Sequence, residues 1–278
     1  SATYRNHDHP FKYDVSANLS TLKNKVTSLG FGTTSYITGA YATYVGQEIG
    51  QFYGWVYEGL ARTQSDLDNH ATQQGANIGD CLYKDISGPN GEPDGVIDAY
   101  DQTVLGSGLP KVNFGLSAHM EYKNFDLSIS TYGVLNYHVS DDIYNSLNSC
   151  YGWGNKDVAM ADANRFSEDG STYLSNVPRT YAANKATLAL NDLFSSRKIQ
   201  NAAYWKIANV ELGYNFPDRW FKGLVTGVRA YVSAQNLYTF TGYKGYNVDY
   251  AGGTFTPGYN FCSFPSARSF MAGLHFTF

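Results

Sequence analysis

From Phe270 to Phe278 the chain alternates without a break. Phe270, Ala272, Leu274, Phe276 and Phe278 fall on one side, and Met271, Gly273, His275 and Thr277 on the other, which is the two-residue period of a β-strand. A strand face this apolar needs apolar matter beyond it, and either a sandwich core or a lipid bilayer can supply that. The same alternation recurs upstream. Phe11, Tyr13, Val15, Ala17 and Leu19 oppose Lys12, Asp14, Ser16 and Asn18, and Val112, Phe114, Leu116, Ala118 and Met120 oppose Asn113, Ser117, His119 and Glu121. Phe125, Leu127 and Ile129 oppose Asp126, Ser128 and Ser130, and Val228, Ala230, Val232 and Ala234 oppose Arg229, Tyr231, Ser233 and Gln235. Two further stretches, 35–44 and 203–214, fit strands by their aromatic and β-branched content but alternate poorly. Strands of about ten residues with one apolar and one charged face point to a transmembrane β-barrel, wet inside and lipid-facing outside.

Composition narrows the choice. The chain is 43% hydrophobic and 16% aromatic, yet its mean hydropathy is -0.35, so its apolar residues are dispersed rather than gathered. No run of about 20 apolar residues exists to cross a bilayer as a helix. A net charge of -4 gives no electrostatic ground for nucleic acid as a partner. Three cysteines leave at least one unpaired within the chain.

The spacing of the strands adds an independent constraint, because outer-membrane barrels join their strands by short periplasmic turns and long extracellular loops. Read backward from the end, the gaps are long (237–266), short (215–227), long (136–202), then the tight turn Lys123-Asn124, then long (45–110), then the short segment 24–30. About seven strands are expected, fewer than the 8 of the smallest single-chain barrel. The chain is therefore expected to be a C-terminal piece of a larger barrel, with 11–19 descending from the cell surface and Ser1 on the outer face.

The ordered motifs resemble those of a known family. Tyr44-Val-Gly-Gln-Glu-Ile-Gly-Gln-Phe-Tyr-Gly-Trp-Val-Tyr-Glu-Gly-Leu60, Gly79-Asp80, Tyr83-Lys-Asp85 and Asp94-Gly-Val-Ile-Asp98 are similar to the C-terminal part of SusC/RagA-type TonB-dependent outer-membrane transporters of Bacteroidetes. So are Asn24-Lys-Val-Thr-Ser-Leu-Gly30, Leu109-Pro110, Asn113-Phe-Gly-Leu116, Tyr122-Lys-Asn-Phe-Asp-Leu127, Pro178-Arg179, Val232-Ser-Ala-Gln-Asn-Leu237, Pro265 and Arg268-Ser269. The resemblance implies an all-β fold: residues 1–278 as the C-terminal segment of a large transmembrane antiparallel β-barrel of about 22 strands, with long extracellular loops. It implies a plug domain and a TonB box outside this chain, coupling to the TonB complex, outer-membrane lipid around the wall, a SusD-like lipoprotein lid, and a glycan or oligopeptide as cargo. The expected function is nutrient import and not catalysis; the alternative is a non-transporting surface adhesin or carbohydrate-binding β-protein.

Two sets of residues are candidates for a site. Asp85, Asp94, Asp98 and Asp101, with a turn at Gly95, resemble part of a calcium loop, since Ca²⁺ takes six to eight oxygens on a tightly turning backbone. Ser87-Gly-Pro-Asn-Gly-Glu-Pro93 interrupts the usual ligand spacing, and Gly, Pro, Asn and Asp also make turns with no ion present. Tyr151, Trp153, Tyr243, Tyr246, Tyr250 and Tyr259 fall in expected extracellular loops, where flat rings stack on sugars or pack on a partner, or simply pack the loop itself. Asp141 and Asp142 would face opposite ways in a strand and make a poor acid and nucleophile pair. The His and Cys residues show no metal-binding spacing.

Overall fold

The structure is a computed structural model, and it describes residues 1–150, 154–180, 189–221, 225–249 and 252–278. Its frame is one antiparallel sheet of seven strands in chain order. These are β1 (Ala2–Asn6), β2 (Phe11–Thr21), β3 (Val112–Tyr122), β4 (Phe125–Leu135), β5 (Tyr204–Phe216), β6 (Gly227–Thr241) and β7 (Ser269–Thr277). The register carries each strand's alternation into its neighbour. Phe125 pairs with Tyr122 and Tyr214, Leu212 with Val232, and Val232 with Ala272, so apolar side chains share one face across the sheet. Asp126, Glu211, Arg229 and His275 line the other face. Among the described residues, no helix is long and apolar enough to cross a membrane.

The burial pattern is inverted relative to a water-soluble sheet. On the apolar face Phe125 is 53% exposed, Val232 55% and Leu274 62%, whereas on the polar face Asp126 is only 6% exposed. A sandwich would cover the first face with a second sheet. A barrel wall leaves it to lipid.

Four sequence expectations need correction. The stretch 35–44 is not a wall strand, because it folds on itself as Ser35–Thr38 paired with Tyr41–Tyr44. Gly39, at φ +55, supplies the left-handed residue that this two-residue hairpin turn needs. Nor is 24–30 a turn between wall strands, since β2 pairs directly with β3 and everything between them is one long excursion, 22–111. The wall strand missing from the count is β1, which pairs Tyr4 with Val15 and Arg5 with Asp14. With β2 and β3 adjacent, β2 runs opposite to the expected direction. Ala2 meets Ala17 partway along the sheet, so Ser1 does not lie at the mouth. The connections now read 7–10, 22–111, 123–124, 136–203, 217–226 and 242–268, strictly short and long in turn.

The three long excursions build a second body at one end of the wall. The first holds a four-stranded sheet made of the Ser35–Tyr44 hairpin, Gln51–Gly54 and Thr103–Ser107, with Tyr57–Leu60 paired to Cys81–Tyr83. The other two are joined where His138–Asp141 pairs antiparallel with Gln200–Asn201 and parallel with Tyr259–Asn260. Gly108 lets the first excursion meet the third, since a Cβ there would sit 2.0 Å from the Pro257 carbonyl oxygen.

Candidate functional site

The candidate site is the polar face of the wall together with the loops at its mouth. Alternation places the polar residues on this face, and charge-assisted hydrogen bonds hold them at the end away from the loops. Arg229 Nε donates to Asp126 Oδ1 at 3.0 Å, and Nη2 reaches both the other oxygen of Asp126 and, at 2.7 Å, Glu211 Oε1. Asn215 Nδ2 adds a bond to Asp126 Oδ1 at 2.9 Å. Gly213 makes room for this cluster, because a Cβ there would lie 2.4 Å from Arg229 Nη2. Fork-shaped Arg to carboxylate bonding of this kind fixes orientation as well as charge.

Nearer the mouth the same face becomes mostly uncharged. A groove of about 520 Å³ runs past Asn18, Ser20, Asn113, Ser117, Ser130 and Tyr132. Amides and hydroxyls present donors and acceptors without strong charge, which suits passage of a hydrated, hydrogen-bonding solute. Beside Tyr132 on this face, Lys206 is 3% exposed and its Nζ lies 2.6 Å from Asp249 Oδ2. Tyr132 Oη donates to Asp249 Oδ1 at 3.2 Å. Asp249 belongs to the third excursion, so this loop is tied to the wall from inside.

Two buried polar clusters hold the mouth together. In the first, Asp80 is fully buried, and Arg179 grips it with Nε at 3.2 Å and Nη2 at 2.9 Å. Asn191 Nδ2 donates to Asp80 Oδ1 at 2.9 Å, and its Oδ1 accepts the Cys81 N–H at 2.7 Å. Gly79-Asp80 and Pro178-Arg179, far apart in sequence, are thus two halves of one contact between the first and second excursions. In the second cluster Tyr243 Oη donates to Asp141 Oδ2, while Asn260 Nδ2 donates to that oxygen at 2.9 Å and to Tyr243 Oη at 2.8 Å. Asp141 also caps the helix Asp142–Leu147 through the Tyr144 N–H at 2.8 Å. Burial, reinforced by the hydrogen bond to Asp141, raises the Tyr243 hydroxyl's pKa, so the phenol stays protonated and donates. Beside these clusters, a cleft of about 470 Å³ is lined by Asp142, Asn145, Ser149, Lys156, Asp192 and Lys198.

The aromatic candidates separate. Tyr243 is buried in the cluster above, Tyr246 is exposed, and Tyr259 lies in a paired strand with its ring stacked on Phe261 at 6.4 Å. Tyr151, Trp153 and Tyr250 lie outside the described residues. The four aspartates do come together in one loop, but they hold backbone. Asp101 accepts from the N–H groups of Ile86, Ser87 and Asp98, Asp98 from Tyr100, Asp94 from Val96, and Asp85 Oδ2 from Gly95. Asp85 Oδ1 is buried there without a hydrogen-bond partner, and among the described residues no three His, Cys, Asp or Glu side chains gather as a cation cage.

All three cysteines are free thiols, Cys81 and Cys150 buried and Cys262 exposed. Burial pushes the Cys81 and Cys150 thiols up to about 12, which keeps them in the unreactive thiol form. Asn191, Asn260 and Asp249 carried no signal in the sequence. Each is a single polar residue whose partner lies far off in sequence, in another excursion for Asn191 and Asn260 and in the wall for Asp249. Lys206 could be suspected only from its place on the polar side of a poorly alternating strand.

No family model matches the chain. It is 29% identical over 287 residues to a TonB-dependent receptor of Formosa agariphila, covering 96% of this chain and 27% of the relative. It is 26% identical over 286 residues to the TonB-dependent receptor SusC of Bacteroides thetaiotaomicron, covering 96% of this chain and 24% of the relative. Among solved structures, the RagAB peptide transporter superposes with a TM-score of 0.77 at 20% identity, over 99% of this chain and 28% of that one. The chain spans about a quarter of the length of the curated relatives it matches. Along nearly its whole length it is similar to TonB-dependent receptors, SusC among them, as the motifs implied, and its seven-stranded sheet is an open arc of that β-barrel fold.

Proposed function

We propose that this chain forms part of the wall and mouth of a bacterial outer-membrane importer, energised through TonB, that takes up glycans or oligopeptides beneath a SusD-like surface lipoprotein. The observation that carries the reading is the inverted sheet: Phe125, Val232 and Leu274 are exposed on one face, while Asp126 and Lys206 are enclosed on the other. That arrangement suits a wall with lipid outside and solute inside. The kinship with TonB-dependent receptors supports the energy source. The name of one structural neighbour, a peptide transporter, supports a hydrogen-bonding cargo, for which the neutral groove past Asn18, Ser117 and Ser130 is suited. An adhesin built as a β-sandwich would need a second sheet over the apolar face, and among the described residues none covers it.

In this reading the excursions 22–111 and 136–203, which lie at the mouth, would meet the lid. The test is the full-length barrel in its native membrane, with each excursion shortened in turn, scored for lipoprotein recovered with the barrel and for nutrient uptake. Loss of both is expected. Undiminished lipoprotein and uptake after both are shortened would remove the loops from the lid contact. A barrel that never recovers lipoprotein yet binds ligand would favour a surface-binding role.

A further inference from the structure

We infer that a cationic groove on the outward rim of β5 and β6 holds the phosphate of an outer-leaflet lipid headgroup. This rests on the membrane-wall reading above. Trp205 and Phe240 are cross-strand partners on the outward, apolar face. Their rings stack with centroids 5.3 Å apart, and Tyr238 meets Phe240 edge-on at 4.7 Å. All three are exposed, and exposed Trp and Tyr at the end of an apolar band mark the level where hydrocarbon gives way to headgroups.

Directly beyond that level, a groove of about 350 Å³ opens between Ala203 and Gly242, the residues just past the paired ends of β5 and β6. Its lining includes Arg197 and Lys244 and no carboxylate. Among the described residues neither cation has an ion-pair partner. Lys244 Nζ sits 5.7 Å from the centre of the Tyr144 ring, which holds the ammonium without neutralising it. Gln200 Oε1 accepts the Lys244 N–H at 3.2 Å, leaving Nε2 a buried donor with no partner. The acids nearby are engaged elsewhere: Asp141 with Tyr243 and Asn260, and Asp192 with Lys198. Asp142 opens into the neighbouring cleft beside Lys156 and Lys198.

Position and charge together choose the occupant. A site on the lumen side would serve cargo, but this one continues the lipid-facing surface, where an apolar groove of about 490 Å³ runs past Val210, Ala234 and Phe270 on the loop side of the wall's middle. An amphiphile with apolar chains and an anionic headgroup matches both that groove and the cations beyond it.

The experiment uses the full-length barrel extracted in mild detergent, with phosphorus-bearing lipid retained per barrel measured by mass spectrometry. Arg197→Gln with Lys244→Gln is expected to weaken retention roughly thirty-fold, the share two surface cations contribute to holding an anionic headgroup. Arg197→Lys with Lys244→Arg should restore it. A folded double variant that keeps its full complement of lipid overturns the inference while leaving the importer reading intact. A wild-type barrel that does not partition into membranes at all defeats the importer reading instead. If the double variant does not assemble, Lys244→Gln alone is scored in the same way. Inorganic phosphate at millimolar concentration provides a second arm: lipid retained by the wild type in its presence supports a headgroup site, whereas a groove that takes up phosphate in a barrel retaining no phosphorus-bearing lipid is a free-anion site and overturns the proposal.

Discussion

The wall and the mouth of this molecule obey opposite rules. In the wall, large apolar residues such as Leu274 are exposed and charged ones such as Asp126 are enclosed. In the mouth, Tyr83, Phe52 and Tyr173 are buried as in any water-soluble protein, and the buried carboxylate of Asp80 is paired by Arg179 and Asn191. The chemistry of burial is the same in both. What differs is the surrounding solvent, which is lipid on the outward face of the sheet and water around the loops. A face that looks misfolded in water is a satisfied face in a bilayer.

The largest expected effect tests whether the mouth is an independent unit. Arg179→Ala leaves a fully buried carboxylate without its counter-ion and is expected to cost about 3–5 kcal/mol, all of it in the mouth. Limited proteolysis should then cut within 22–111 and 136–203 while the wall stays resistant. A wall that also becomes sensitive would make the two regions one cooperative unit.

Next comes the wall itself. Leu274→Arg and Val232→Arg put a charge on the lipid face, at about 2–4 kcal/mol each near mid-bilayer, and both should lower the yield of assembled barrel. Gln235→Arg is the control, since Gln235 is an exposed residue on the lumen face. Equal yields for all three would end the contrast between faces.

A smaller effect is expected at the joint between the second and third excursions. Tyr243→Phe deprives Asp141 and Asn260 of a shared hydroxyl, for about 1–3 kcal/mol. It should speed amide hydrogen exchange in Tyr259–Asn260, and no change there would show the hydroxyl to be dispensable.

Thiol labelling should affect stability least and discriminates by burial. A membrane-impermeant maleimide on intact cells is expected to modify Cys262, while Cys81 and Cys150 react only after denaturation, because burial raises both thiols to about 12. Rapid labelling of Cys81 in the native protein would mean that the mouth opens readily.

Periodicity made the wall legible before any coordinates. Phe11–Leu19, Val112–Met120, Phe125–Ile129, Val228–Ala234 and Phe270–Phe278 alternate because each residue sees one of two solvents, and a two-state environment writes a two-residue period. The exceptions follow the same logic. The strand Ala2–Asn6 is short and carries one large apolar residue, Tyr4, so it offered too few points to show a period. The stretch 35–44 had the right residue types for a strand, but Gly39 folded it back into the mouth.

The sequence by itself determined an all-β wall, its inward and outward faces, the alternation of short and long connections and, through ordered motifs, a resemblance to TonB-dependent receptors. Tertiary structure alone decided which strands are neighbours. It made β2 the partner of β3 across 90 residues of intervening chain, joined Asp80 to Arg179 and Asp141 to Tyr243 and Asn260, and set Arg197 and Lys244 together at the rim. Local periodicity reports the environment of a residue, which its neighbours in sequence share. A long-range pair reports the environment of two distant residues at once, and one chain read from end to end holds no record of which of its polar residues will meet.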